Sequence, residues 1–174
     1  MNLPDRLVWV DIETTGLDPV KDRILEVAVV ITDNRLVELG MGHWVVRPDG
    51  LALDAFLVKM HTTNGLLGDL KHAAALADVD VMAAGLVRVS GAAGGPICGS
   101  SPHFDLSFLR LHMPLLARCF NHRCFDVSTL KLGHLIELGP SLVKAQEEKA
   151  DTAHRALADI RYSIACAREL VGLE

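Results

Sequence analysis

Apolar and polar positions in this chain begin with a period of two and later shift to runs of helical length. From Leu7 to Glu13 the pattern places Leu7, Trp9, Asp11 and Glu13 on one face of a strand and Val8, Val10 and Ile12 on the other. Thr14-Thr15-Gly16 closes that strand in a turn, and Asp18-Pro19 with Lys21-Asp22 continues as a polar loop. Ile24 to Ile31 is a nearly continuous β-branched run broken by Glu26, the pattern of a central strand. Asp33-Asn34 predicts a tight turn. Leu36 to Val46 then predicts a third strand, with Gly40 and Gly42 marking an irregularity or bulge. Two such short connections predict an antiparallel meander.

The texture changes at Pro48. Leu53 to Met60, Gly65 to Ala77 and Asp78 to Val89 read as helices, with Gly91 to Gly95 ending the last of them. Pro96-Ile97-Cys98-Gly99 reads as a short buried strand, and Ser100-Ser101-Pro102 as a helix start with a capping Ser. Phe104 to Leu111 carries apolar residues at helical spacing. Cys124 to Val127 reads as another strand, followed by a helix capped by Ser128-Thr129 and running to Leu138. Residues 139–150 are polar and read as a loop, and a last helix runs from Arg155 to Val171. Strands first, then helices alternating with short strands, predict a single α/β domain over residues 1–174.

Composition narrows the class. Hydrophobic residues make up 50 % and charged residues 22 %, which supports an ordinary globular core. No apolar run approaches the ~18–20 residues of a membrane helix. Asp5 and Arg6 come too early for a signal peptide, and Cys98, Cys119, Cys124 and Cys166 form no CxxC pair. Reduced thiols and a cytoplasmic location follow as expectations. The net charge of −5 argues against gripping long nucleic acid through many phosphates. A chain of this charge that handles nucleic acid contacts few phosphates or lets bound cations supply positive charge.

Candidate chemistry starts with Asp11 and Glu13. Two carboxylates on one strand face lie ~6.5–7 Å apart. They repel, and burying them needs a compensating cation, so a divalent-metal site competes with a strand end bearing solvated acids. On the last helix, Asp159 projects about 100° from Ile160, toward Ala156, Ser163 and Cys166, and so beside small, semi-buried neighbours. The alternative is a surface Asp near Arg155 or Arg161. His154 stands five residues earlier, about 140° away in a continuous helix. It can share a site with Asp159 only from just before the helix or its first turn; otherwise it is a surface His. Asp105 lies early in its helix, where a favourable helix-end charge is the competing reading. His103, His112, Cys119, His122 and Cys124 match no structural zinc module, and Trp9 and Trp44 read as core.

Taken together, Asp11-x-Glu13, Asp105 and His154-x-x-x-x-Asp159 resemble the DEDDh class of 3′-to-5′ exonucleases in order, spacing and context. Within that class the chain is most similar to oligoribonucleases. The resemblance is carried by Leu17-Asp18, Lys21-Asp22-Arg23-Ile24, Met60-His61-Thr62, Gly65-Leu66 and Pro96-Ile97-Cys98-Gly99. It continues in Asp126-Val127-Ser128-Thr129-Leu130-Lys131 and in Thr152 to Ile160. It implies a ribonuclease H-like mixed sheet, its first three strands antiparallel, flanked by helices. It further implies a cytoplasmic homodimer that uses two Mg²⁺ or Mn²⁺ ions to degrade short single-stranded RNA, down to dinucleotides. Asp11, Glu13, Asp105 and Asp159 would hold metal, and His154 would be the general base. By the same resemblance Leu17 wedges against a base, Phe56 takes an aromatic position, and His61 contacts substrate. Ser101, Arg123, Ser128 and Thr129 would hold a 5′-phosphate. The chain departs from the pattern at Thr14 (usually Met), at His122 (a Tyr that reaches across the dimer to cap the phosphate), at His103-Phe104 and over residues 133–150. Two other readings stay open: a broader DEDDh enzyme that trims or proofreads DNA or RNA 3′ ends, and a non-catalytic short-nucleotide binding module.

Overall fold

β1 (Arg6–Thr14) is the middle strand of a five-stranded sheet in a computed structural model that describes residues 4–50, 53–138 and 154–173. β2 (Ile24–Asp33) pairs antiparallel with β1, and β3 (Glu38–Val45) pairs antiparallel with β2, as the short connections predict. β4 (Gly95–Gly99) and β5 (Phe120–Asp126) add in parallel on the other side, giving the order β3-β2-β1-β4-β5. This is the mixed α/β sheet expected. A register shift at Ile31/Thr32, opposite Gly40 and Glu38, forms the irregularity that the glycines marked. The turn before β3 is fixed by Asp33, whose Oδ1 accepts from the Arg35 and Val37 amides, each at 2.9 Å.

The helices are α1 (Ala55–Thr63), α2 (Leu66–Asp69), α3 (Leu76–Val89), α4 (Pro102–His112), α5 (Pro114–Ala117), α6 (Val127–Leu138) and α7 (Ala156–Leu170). Alternation along β1 and β2 creates two cores. Val8, Val10, Ile12, Val27, Val29 and Ile31 pack with residues of α3 and α4. Leu7, Trp9, Ala28 and Val30 pack with Ala156, Ile160, Ile164 and Ala167 of α7. Trp9 and Phe108 are fully buried, one in each core. Asp11 and Glu13 extend the Leu7/Trp9 row, so they project on the α7 side.

Several expectations are corrected. The helix predicted over 65–77 breaks after Asp69 into a 3₁₀ turn, Leu70–His72, and then extended chain. Ala74 leaves helical geometry because its amide donates to Val45 O and its carbonyl accepts from the Arg47 amide, lengthening the sheet edge. β5 begins at Phe120, four residues before the predicted Cys124, and runs through polar Asn121, His122 and Arg123 in a strand that forms the sheet edge. Neither predicted hydroxyl cap forms. Ser101 precedes α4 with φ 55 and makes no side-chain cap bond, and α6 starts at Val127 after Asp126, whose carboxylate accepts from the Ser128 amide. The loop predicted over 139–150 lies outside the described residues.

Candidate active site

Sheet topology gathers the candidates at one end. β1, β4 and β5 are parallel, so their carboxyl ends open on the same side, where ligands of open α/β sheets bind. There β1 delivers Asp11 and Glu13, the β4–α4 connection delivers Ser101, the first turn of α4 delivers Asp105, the end of β5 delivers Asp126, and the start of α6 delivers Ser128 and Thr129. Gly99 permits the close approach that this requires: a Cβ there would lie 2.9 Å from Val10 O.

Asp105 is almost fully buried, and its Oδ1 accepts from the Ile12 amide at 3.0 Å. Pairing of β1 with β4 ends at Trp9 and Cys98, so Ile12 lies beyond the reach of the neighbouring strand, and the Asp105 carboxylate satisfies its N–H instead. α7 brings Asp159 in its first turn. One turn further on, buried Ser163 meets Ser100 at the end of β4, Oγ to Oγ, at 2.9 Å. His154 precedes α7 in left-handed backbone, φ 46, so its ring escapes the helical direction that would carry it away from Asp159. The result is the meeting foreseen for a His placed before the helix. Ligand atoms of Glu13, His154 and Asp159 lie within 4.8 Å of one another.

Electrostatics make this cluster unstable without a cation. Burial pushes the Glu13 carboxyl up to about 8, with Asp159, Glu26 and Asp105 adding to the push. Burial raises Asp105 to about 7, against the lowering effect of backbone hydrogen bonds. Asp11 is pushed well above the usual carboxylate range by burial and then by Asp105, Glu13 and Asp159. Hard oxygen donors, mutual repulsion and partial burial fit a divalent cation. Asp11, Glu13, Asp105 and Asp159 are the carboxylates able to hold one, and His154 adds a nitrogen at the edge.

The Leu17 loop is built to expose its tip. Thr14 Oγ1 donates to Gly16 O at 2.6 Å, and Asp22 accepts from Thr15 Oγ1 at 3.1 Å and from the Asp18 amide at 2.9 Å. Gly16 is needed because a Cβ would lie 2.4 Å from Asp22 Oδ2. Leu17 is left 82 % exposed. Thr14, the departure noted in the sequence, therefore braces this loop. Phe56 on α1 is 69 % exposed. His61, also on α1, is fully buried and faces the Thr14 backbone without a well-formed hydrogen bond, and burial lowers its pKa. In this structure it has no surface with which to touch a substrate.

The phosphate-holding candidates are organised by Asp126, which heads one of the resemblance motifs but was given no role of its own. Its carboxylate accepts from the Ser101 amide (2.9 Å), the Ser128 amide (2.9 Å) and Thr129 Oγ1 (2.9 Å), while Ser101 Oγ donates to Ser128 Oγ at 3.1 Å. Arg123, exposed on β5, shares the side of the strand taken by Phe125, which packs with Trp9. His122 falls on the opposite side and lines a groove with Leu106, Arg110 and Phe120. The structure thus brings together Asp11, Glu13, Asp105, Asp159 and His154, groups Ser101, Ser128 and Thr129 beside them, and leaves His122 apart.

Residues 8–167 match the RNase_T family, described as exonuclease. An oligoribonuclease of Tropheryma whipplei is 36% identical over 166 residues, covering 93% of this chain and 89% of that protein. The chain belongs to the oligoribonuclease family of exonucleases. A second member, from Streptomyces avermitilis, is 39% identical over 171 residues, covering 92% of this chain and 82% of that one. Among solved structures, E. coli exonuclease I in complex with a dT13 oligonucleotide superposes with a TM-score of 0.73 at 17% identity. The match takes in 98% of this chain but 42% of exonuclease I, so the likeness carries the shared ribonuclease H-like fold alone. For this oligoribonuclease-family chain, the residues that the family pattern did not highlight are Glu26, Asn64 and Asp69, and Arg155 stood inside the Thr152 to Ile160 motif without a role of its own. The signal for Glu26 was present: it is the single charge inside the apolar run from Ile24 to Ile31.

Proposed function

We propose that this chain is a metal-dependent 3′-to-5′ exoribonuclease that degrades short oligoribonucleotides, down to dinucleotides, to mononucleotides. One observation carries the reading: the four acids and His154, dispersed over 149 positions of sequence, converge at the carboxyl end of β1. A non-catalytic nucleotide-binding module has no need of all five. Asp11, Glu13, Asp105 and Asp159 would hold two Mg²⁺ or Mn²⁺ ions. When bound, such ions neutralise the carboxylates, favour ionisation of an attacking water and stabilise charge on the leaving 3′-oxygen.

The chain supplies the rest. Exposed His154, at the rim of the cluster, takes the proton of the attacking water through an imidazole nitrogen that lies within 4.8 Å of carboxylate oxygens of Glu13 and Asp159. Leu17 and Phe56 present exposed apolar surface against which bases of any identity stack. Ser128 offers its hydroxyl to a terminal phosphate, with Arg123 able to bind it bidentately. Few phosphate contacts match the net charge of −5. We further propose a cytoplasmic homodimer. Leu132 and Ile136, 58% and 75% exposed one turn apart on α6, offer apolar surface to a second copy. Light scattering that returns the monomer mass would remove the dimer.

The test offers an RNA dinucleotide, a longer RNA and single-stranded DNA to the purified protein, with Mn²⁺ and with EDTA. The expected result is mononucleotide release from the dinucleotide with Mn²⁺ only. Equal or faster degradation of long RNA or DNA would replace this reading with the broader trimming enzyme. No hydrolysis of any substrate would leave only the binding module.

A further inference from the structure

His154 occupies a backbone conformation that a non-glycine residue adopts only at a cost of about 1 kcal/mol, at an exposed corner before α7. What holds it is a clamp on the residues that follow it, anchored on the buried Glu26 carboxylate. Arg155 donates from Nε to Glu26 Oε1 at 2.9 Å, from one terminal nitrogen to Asn64 O at 3.0 Å, and from the other to Asp69 Oδ2 at 2.9 Å. Glu26 is fully buried; its second oxygen accepts from the Ala156 amide at 2.8 Å, and His43 Nε2 meets its first at 2.7 Å. Asn64, at the end of α1, completes the ring: its side-chain amide donates to His154 O, and its Oδ1 accepts from the Leu66 amide at 3.0 Å. The His154 carbonyl and the two residues that follow it are therefore tied to two separate elements.

The clamp has a defined address. Glu26 sits directly opposite Glu13 in the β1–β2 register, so the strand pair that carries the acids also carries the anchor. Asn64 caps the end of α1, the helix that presents Phe56, and Asp69 ends the α2 that follows it. Arg155 joins the two. We propose that Arg155 and Asn64, anchored on Glu26, are positioning residues that fix the His154 ring at the acid cluster. The proposal rests on the reading of His154 as the base. Its competitor is that Arg155 only compensates the buried charge of Glu26, which would affect stability and leave turnover alone.

A double-mutant cycle separates them. Asn64→Ala and Arg155→Ala are each combined with His154→Ala, and kcat and KM are measured on an RNA dinucleotide with saturating Mn²⁺. Mn²⁺ binding is followed by calorimetry. In the wild-type background each single substitution should lower kcat about 10- to 100-fold, the effect of a misplaced catalytic group. KM and Mn²⁺ affinity should move less than about threefold. In the His154→Ala background the same substitutions should change kcat by less than about twofold, because the group they position is gone. Asn64→Ala removes only surface-proximal hydrogen bonds, so it tests the point even if Arg155→Ala does not fold. Unchanged kcat in the folded single variants, or an equal loss repeated without His154, overturns the clamp. A His154→Ala protein with wild-type kcat overturns the base reading and the clamp together.

Discussion

Removing metal should make this protein less stable as pH rises, the reverse of a protein whose carboxylates are held in favourable pairs. The Glu13 carboxyl titrates near its ordinary 4.5 in the unfolded chain and at about 8 in the folded one. Between those values the folded state binds the proton and the unfolded state has released it. The contribution of Glu13 is thus fully present below pH 4.5 and is lost as pH climbs through about 8. At about 1.4 kcal/mol per pH unit, the rise from pH 5 to 7.5 removes about 3 kcal/mol through Glu13. Asp105, moved from 3.8 to about 7, works in the same direction, as does Asp11. Glu26 and Asp126 are held below the usual range, Glu26 by His43, Arg155 and the Ala156 amide outweighing its burial, so they act only toward the acid side. For a chain of this size, about 3 kcal/mol corresponds to a fall in Tm on the order of 10 °C. The assay is a series of thermal melts from pH 5 to 8 in EDTA, on wild type and Glu13→Gln. The variant should melt higher than wild type at pH 7.5 and show a shallower slope, and Mn²⁺ should restore wild-type Tm but not further stabilise the variant to the same extent. A metal-free Tm that is flat or rises from pH 5 to 7.5, or a slope that Glu13→Gln leaves unchanged, would refute the reasoning.

Other consequences are as direct. Asp11→Asn preserves shape and volume while removing a metal-holding charge; kcat/KM on an RNA dinucleotide should fall at least about 10³-fold with no loss of far-UV signal or metal-free Tm. Leu17→Ala alters a side chain that is 82% exposed, so Tm should stay constant, while kcat/KM falls about tenfold through lost base stacking. Asp126→Ala removes the acceptor shared by Ser101, Ser128 and Thr129. It should cost about 1–2 kcal/mol in urea unfolding through the lost α6 cap. It should also raise KM more for a 5′-phosphorylated RNA dinucleotide than for its 5′-hydroxyl counterpart.

Much of the catalytic end was legible because strand alternation is rigid. Once Leu7 and Trp9 are assigned to one face, Asp11 and Glu13 must share it, and the structure places that face toward α7. His154 was legible from a contradiction: a continuous helix would separate it from Asp159, so it had to precede the helix, and φ 46 is how it does so. Asp105 was weaker, because a first-turn acid is ordinary, and only the buried bond to the Ile12 amide distinguishes it. The segment after Gly65 misled because Leu66 to Ala77 is helical in composition. The Ala74 bridge to Val46 is a tertiary contact that no local pattern encodes. β5 was truncated in prediction because an exposed edge strand tolerates Asn121, His122 and Arg123, which blur the apolar signal. The clamp around Glu26 was hidden for a related reason. Its charge was visible in the sequence, but the other members of the clamp, Asn64, Asp69 and Arg155, lie up to 129 positions away.

The central claim is that the converged acids and His154 remove nucleotides from the 3′ end of short RNA with the help of divalent metal. The most direct measurement follows a 5′-labelled RNA pentamer on a sequencing gel over time, with Mn²⁺ and with Mn²⁺ plus excess EDTA. The account predicts a ladder of labelled products shortened one nucleotide at a time down to the labelled mononucleotide, and intact pentamer in EDTA. Immediate release of labelled mononucleotide without the ladder, or equal cleavage in EDTA, would contradict it.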